Sequence, residues 1–113
     1  MLPSVNRMRR STDFASVVRA GSRARGGRIV VHQRLDLGAG APLAGFVVNK
    51  GVGGSVVRHA VARRLRAQLA QRLDALPTGS GTVVRALPTA AGSTSAQLGA
   101  SLDQALARLG RDR

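Results

Sequence analysis

The run Asn49-Lys50-Gly51-Val52-Gly53-Gly54-Ser55-Val56-Val57-Arg58-His59-Ala60-Val61-Ala62-Arg63-Arg64-Leu65-Arg66 joins the end of an apolar stretch to a glycine-rich hinge and then to a helix. Past the hinge, Val57, Val61, Leu65, Leu69 and Leu73 recur every four residues. At about 100° per residue they form a slowly winding apolar stripe, with His59, Arg63 and Arg66 on the opposite side. The helix is expected over Val56 to Leu76, with Ser55 as its cap and Pro77-Thr78-Gly79-Ser80-Gly81 as its stop. No acidic residue interrupts the basic cluster from Lys50 to Arg72, so its outward face repels itself. An external polyanion would relieve that repulsion.

Working outward from the hinge towards the N-terminus, Leu43 to Asn49 reads as a strand. Gly38-Ala39-Gly40-Ala41-Pro42 reads as a turn, and the β-branched Arg28-Ile29-Val30-Val31-His32-Gln33-Arg34-Leu35 as its hairpin partner. Arg23 to Gly27 reads as a basic loop. Before it, Ser11 or Thr12 is placed to cap a short helix with Asp13 in its first turn, Phe14, Val17 and Val18 on one face, and Gly21 as its end. The first ten residues are basic and aperiodic and are expected to form an arm. On the C-terminal side, Thr82-Val83-Val84-Arg85-Ala86-Leu87 reads as a third strand stopped by Pro88. A helix begins near Ser95, with Leu98, Leu102, Leu106 and Leu109 on one face. The order α-β-β-α-β-α predicts one α+β domain over residues 1–113, a small sheet covered by helices in an α-β sandwich.

Composition narrows the function. Eighteen basic residues against five acidic ones give a formal charge of +13, and every basic residue except Lys50 is arginine. Guanidinium forks suit bidentate phosphate contacts and stacking on bases, although codon bias towards arginine accounts for the count equally well. A membrane surface is disfavoured because the chain has no apolar run near eighteen residues and no helix with aromatic anchors. The N-terminus has no apolar stretch of the signal-peptide kind, so a cytoplasmic location is expected. With no cysteine, disulfides and thiolate metal sites are excluded. Only Phe14 and Phe46 are aromatic, so the core must be built from Val, Leu, Ile and Ala.

Gly51-Val52-Gly53-Gly54-Ser55 fits neither a P-loop nor a dinucleotide fingerprint, so no small-molecule cofactor is expected and the glycines serve a tight strand-to-helix turn. The helix N-terminus could still receive a nucleic-acid phosphate. A metal-dependent nuclease needs gathered carboxylates, whereas Asp13, Asp36, Asp74, Asp103 and Asp112 are scattered. His32 alternates with Val30 and Arg34 on a strand and His59 sits among arginines, so RNA contact suits both better than acid–base catalysis. Neither carries a catalytic assignment.

The order of elements, the Asp13-Phe14 pair and the run from Val48 to Arg66 together resemble the protein subunit of bacterial ribonuclease P, over nearly the whole chain. The resemblance implies a protein that assists a catalytic RNA in removing the 5′ leader of precursor tRNA. Its partners would be ribonuclease P RNA and precursor tRNA. The Mg2+ would be bound chiefly by the RNA and none by the isolated protein. The family's Arg-Asn-Arg motif falls on Arg58, His59 and Ala60, and its following basic positions on Ala62, Arg63, Arg64 and Arg66. With Lys50, this helix would dock on the RNA. Gly51, His59, Ala60 and Ala62 depart from the family pattern. The family's leader cleft falls on Phe14, Val30, His32, Val47 and Asn49, expected to lie apart from the arginine helix. Val30 and His32 would share one strand face, as would Val47 and Asn49. The family often has aromatics where His32 and Val18 stand, which predicts weaker stacking here. Two other classes remain: a small basic ribosomal or other structural RNA-binding protein, which needs no leader cleft, and a free-standing nuclease, which needs no RNA subunit.

Overall fold

A computed structural model describes residues 2–112; Met1 and Arg113 lie outside the described residues. The elements are α1 (Ser11–Ala20), β1 (Ser22–Gly26), β2 (Ile29–Arg34), β3 (Leu43–Val47), α2 (Ser55–Ala70), β4 (Gly81–Ala86) and α3 (Ser95–Arg111). Short 3-10 turns occupy Ser4–Asn6, Leu73–Ala75 and Pro88–Ala90. The anticipated α-β-β-α-β-α order is present, with β1 as an additional strand.

The strands form one sheet in the order β1-β2-β4-β3, antiparallel except for the parallel pair β3–β4. Two expectations are corrected here. Arg23 to Gly27 is not a loop: all but its last residue is strand β1, which returns into β2 through the two-residue turn Gly27-Arg28, where Gly27 takes φ +51°. Nor do β2 and β3 form a hairpin, because β4 inserts between them and α2 becomes the crossover joining parallel β3 and β4. Alternating apolar residues of β2 and β4 supply both faces of the sheet. That double-sided burial favours the central positions for these two strands.

The larger core lies under α2 and α3, where Ile29, Val31, Val84 and Ala86 meet Val61, Leu65, Leu69, Leu98 and Leu102. The α2 stripe is fully buried only at Val61, Leu65 and Leu69; Val57 is exposed, and Leu73 lies in the following 3-10 turn. Ser55 and Ser11 are the first residues of their helices, capped by the Gly54 and Arg10 backbones without a side-chain bond. α3 has a capping box instead: Gln97 N–H donates to Thr94 Oγ1 (3.1 Å) and Thr94 N–H to Gln97 Oε1 (2.9 Å). A smaller cluster on the other face joins Met8, Val17 and Val83 beneath α1.

The N-terminal stretch is packed rather than a loose arm. Leu2 is buried in the α2/α3 core and Met8 in the α1 cluster, so the chain between them wraps the outer edge of β3. Met8 N–H donates to Ala44 O (2.9 Å) and Asn6 Nδ2 to Pro42 O (2.9 Å). Burying a leucine contributes roughly 1.5–3 kcal/mol, enough to hold such a stretch in place. Its arginines remain outside.

Candidate nucleic-acid interface

Helix α1 covers the middle of one face of the sheet, where Val83 is fully buried and His32 and Val30 nearly so, and the register sets out which residues share that face. Across the four strands, Arg23, His32, Val83 and Gly45 form one row; Arg25, Val30, Arg85 and Val47 form the next. Helix α1 seats Val17 on Val83, which brings Phe14, one turn earlier, onto Gly45. A Cβ at Gly45 would run into Cζ and Cε1 of that ring. The half-buried aromatic therefore rests directly on the backbone of β3. Phe14, Val30, His32 and Val47 thus share one face. Asn49 does not join them: it lies beyond β3, exposed, and its Oδ1 accepts the Gly51 N–H at 3.0 Å, which ties it into the hinge.

His32 is 5% exposed, and its Nδ1 has no hydrogen-bond partner among the described residues. Burial lowers its pKa from the ordinary 6.5, and the Arg85 and Arg23 guanidiniums lower it further. A neutral imidazole flanked by two arginines is a polar surface prepared for an anion rather than a cation. Sequence reasoning missed Arg23, Arg25 and Arg85. The signal was the alternation Arg23-Ala24-Arg25-Gly26, which marks a strand with one charged and one buried face.

On α2, His59 and Arg63 are exposed as expected, as is Lys50 in the hinge. Arg64 is used internally, its Nη1 donating to Ser93 O at 3.0 Å and tying α2 to the loop before α3. Arg72 grips Asp103 through two bonds of 2.6 and 3.2 Å. Arg58 and Arg66 are half-buried and line a hollow of about 460 Å³ at the β3 edge, together with Phe14 and Phe46. Arg58 Nε is buried there without a hydrogen-bond partner among the described residues. The two surfaces expected to lie apart therefore meet around β3, because that strand is the sheet edge reached from both faces.

Among the described residues no three His, Cys, Asp or Glu side chains gather as a metal site, and no helix is long and apolar enough to cross a membrane. Asp36 is engaged by Arg34 at 2.9 Å.

Comparison with known proteins bears on these surfaces. The family model described as Ribonuclease P matches residues 2–110. The ribonuclease P protein component of Streptomyces bikiniensis is 53% identical, covering 96% of this chain and 95% of its own length. That of Beutenbergia cavernae is 50% identical, covering 97% and 92%. Among solved structures, the RNase P protein of Staphylococcus aureus superposes with a TM-score of 0.80 at 22% identity, covering 91% of this chain and 94% of that one. The RNase P protein of Thermotoga maritima, in complex with 1-(4-fluorophenyl)-2-thiourea, gives 0.76 at 21% identity, covering 92% and 97%. At those identities the solved structures establish the fold alone, whereas half-identical sequences aligned from end to end share an ancestor. With the Ribonuclease P model spanning all but the ends, this chain belongs to the family of ribonuclease P protein components.

Proposed function

We propose that this chain is the protein component of ribonuclease P, binding the catalytic RNA through the hinge and α2 and the 5′ leader of precursor tRNA across the α1 face of the sheet. On α2, Arg58, His59, Arg63 and Arg66 with Lys50 make the RNA contacts, while Arg64 serves chiefly to hold α2 to its neighbour. On the sheet, Phe14 offers a stacking surface, Val30 and Val47 an apolar floor, and His32 a polar group. Asn49 acts from the hinge. Hydrolysis is assigned to the RNA subunit, which would hold the Mg2+; the isolated protein would bind none.

The observation that carries this reading is the half-buried ring of Phe14, seated on Gly45 and lining a hollow with Arg58 and Arg66, on a sheet face flanked by arginines. A structural ribosomal protein has no need of such a face. Precursor tRNA processing by the cognate RNA at low Mg2+, with and without the protein, is the test. The protein should accelerate processing and cleave nothing alone. Equal rates with and without it would remove the proposal, and cleavage by protein alone would transfer the chemistry to the chain.

A further inference from the structure

A second basic surface lies at the opposite edge of the sheet from α2. Arg23 and Arg25 project from edge strand β1, where Arg25 sits in register beside Val30 and Arg23 beside His32. Arg85 stands beyond Val30 in the same row as Arg25. Around the β1 edge, Arg23 and Arg25 border a shallow hollow with Arg108 and Arg111 from the last turn of α3. Arg108 is fixed there by donating to Arg25 O at 2.9 Å. One acidic residue, Asp112, lines that hollow. None of these five arginines is in an ion pair with an acid among the described residues.

Arginines on an edge strand also protect it from pairing with other chains. That role does not explain Arg85, which stands on the inner strand β4, or Arg108 and Arg111 on a helix. Their common property is position along one line, from the sheet face around the β1 edge to the end of α3. We infer that Arg85, Arg25, Arg23, Arg108 and Arg111 form a phosphate-binding track that carries the single-stranded leader beyond the Phe14 face and around the β1 edge. This rests on the leader-binding reading above. The chemistry recognised is the phosphodiester backbone, so the track is indifferent to sequence.

Length sets the test. From β3 to β1 the strand crosses three inter-strand spacings of about 4.8 Å, roughly 14 Å. At about 3.4 Å per stacked nucleotide that is roughly four nucleotides, so only longer leaders reach α3. Holoenzyme reconstituted with the cognate RNA is titrated with precursors carrying leaders of about two nucleotides, too short to reach β1, and about ten nucleotides, and with mature tRNA. For the natural chain, the long leader should bind more tightly than the short one, with a steeper salt dependence. The double variant Arg25→Gln/Arg108→Gln should abolish the gain from the long leader and reduce its salt slope by about 1.4, the loss of two single-strand contacts at about 0.7 each. Short-leader affinity should stay unchanged, and the Lys double variant should restore the gain as a point charge.

Several results overturn the inference while leaving the proposed function standing. They are equal affinity of the natural holoenzyme for both leaders, a Gln variant that retains the gain, and a Gln variant weakened only in assembly with the RNA, which would make the RNA subunit the occupant. Aggregation of the Gln variant together with an unchanged length dependence of its monomeric fraction would leave edge protection as the sole role. If the natural holoenzyme does not distinguish either leader from mature tRNA, the leader-binding reading itself fails.

Discussion

Replacing Gly45 with Ala moves the Phe14 ring without deleting it. The added Cβ would occupy the space of the ring's Cε1 and Cζ, and the half-buried ring lines a hollow of about 460 Å³ into which it can swing. Alanine also removes some of the backbone entropy cost of glycine in a strand, about 0.5–1 kcal/mol, which offsets part of the lost ring contact. Gly45→Ala should therefore shift Tm by no more than about 4 °C, the equivalent of roughly 1 kcal/mol in a domain of this size. Phe14→Ala differs. Full truncation of a buried Phe costs about 3–5 kcal/mol, and a half-buried one about half of that, so its Tm should fall by roughly 6–10 °C. Both variants should lose base stacking worth about 1–3 kcal/mol. The ratio of holoenzyme affinities for leader-bearing precursor and mature tRNA should then fall roughly 5- to 150-fold in each. Differential scanning fluorimetry and equilibrium titration read the two quantities separately. If Gly45→Ala keeps the ratio within twofold, the seat of the ring on β3 is irrelevant to the leader. If Phe14→Ala lowers Tm with the ratio unchanged, Phe14 is a packing residue alone.

Three further outcomes follow from the charges and the packing. Arg63→Ala/Arg66→Ala should reduce the slope of log K against log salt for assembly with the RNA by up to about 1.8, two contacts at about 0.9 each, and leave Tm near that of the parent; an unchanged slope would remove α2 from the interface. Because His32 has a lowered pKa in the folded chain, the unfolded chain binds the extra proton first as pH drops. Stability should accordingly fall as pH is lowered through 6.5 towards the folded value, and His32→Gln should flatten this part of the stability–pH curve in denaturant titrations. Gly26→Ala should cost about 1–3 kcal/mol, because a Cβ there meets the Ser101 carbonyl and the Ala105 backbone of α3, neither of which can swing aside; a Tm unchanged from the parent would contradict this packing.

By itself, the sequence determined the elements whose signals are local. The four-residue apolar repeat placed α2 and α3, the β-branched runs placed β2 and β4, and the glycine hinge separated β3 from α2. The family-specific run after Val48 lies in this same continuous stretch, so the helix proposed to dock on the RNA was legible along with it. Only the tertiary structure decided which strands are neighbours. β1 is too short and too arginine-rich to stand out, and it becomes a strand by pairing with β2 and laying Ala24 and Gly26 against α3. β3 pairs in parallel with β4 through the crossover α2, which folds back over the sheet and buries Val61, Leu65 and Leu69 on it, and β4 thereby lies between β2 and β3. The same distant contacts bring Phe14 onto Gly45, Arg58 into Phe14's hollow and Arg25 into line with Arg85. Each of these juxtapositions joins residues far apart in the chain, and hydrophobic burial selects among such pairings through the whole core, not through any one segment.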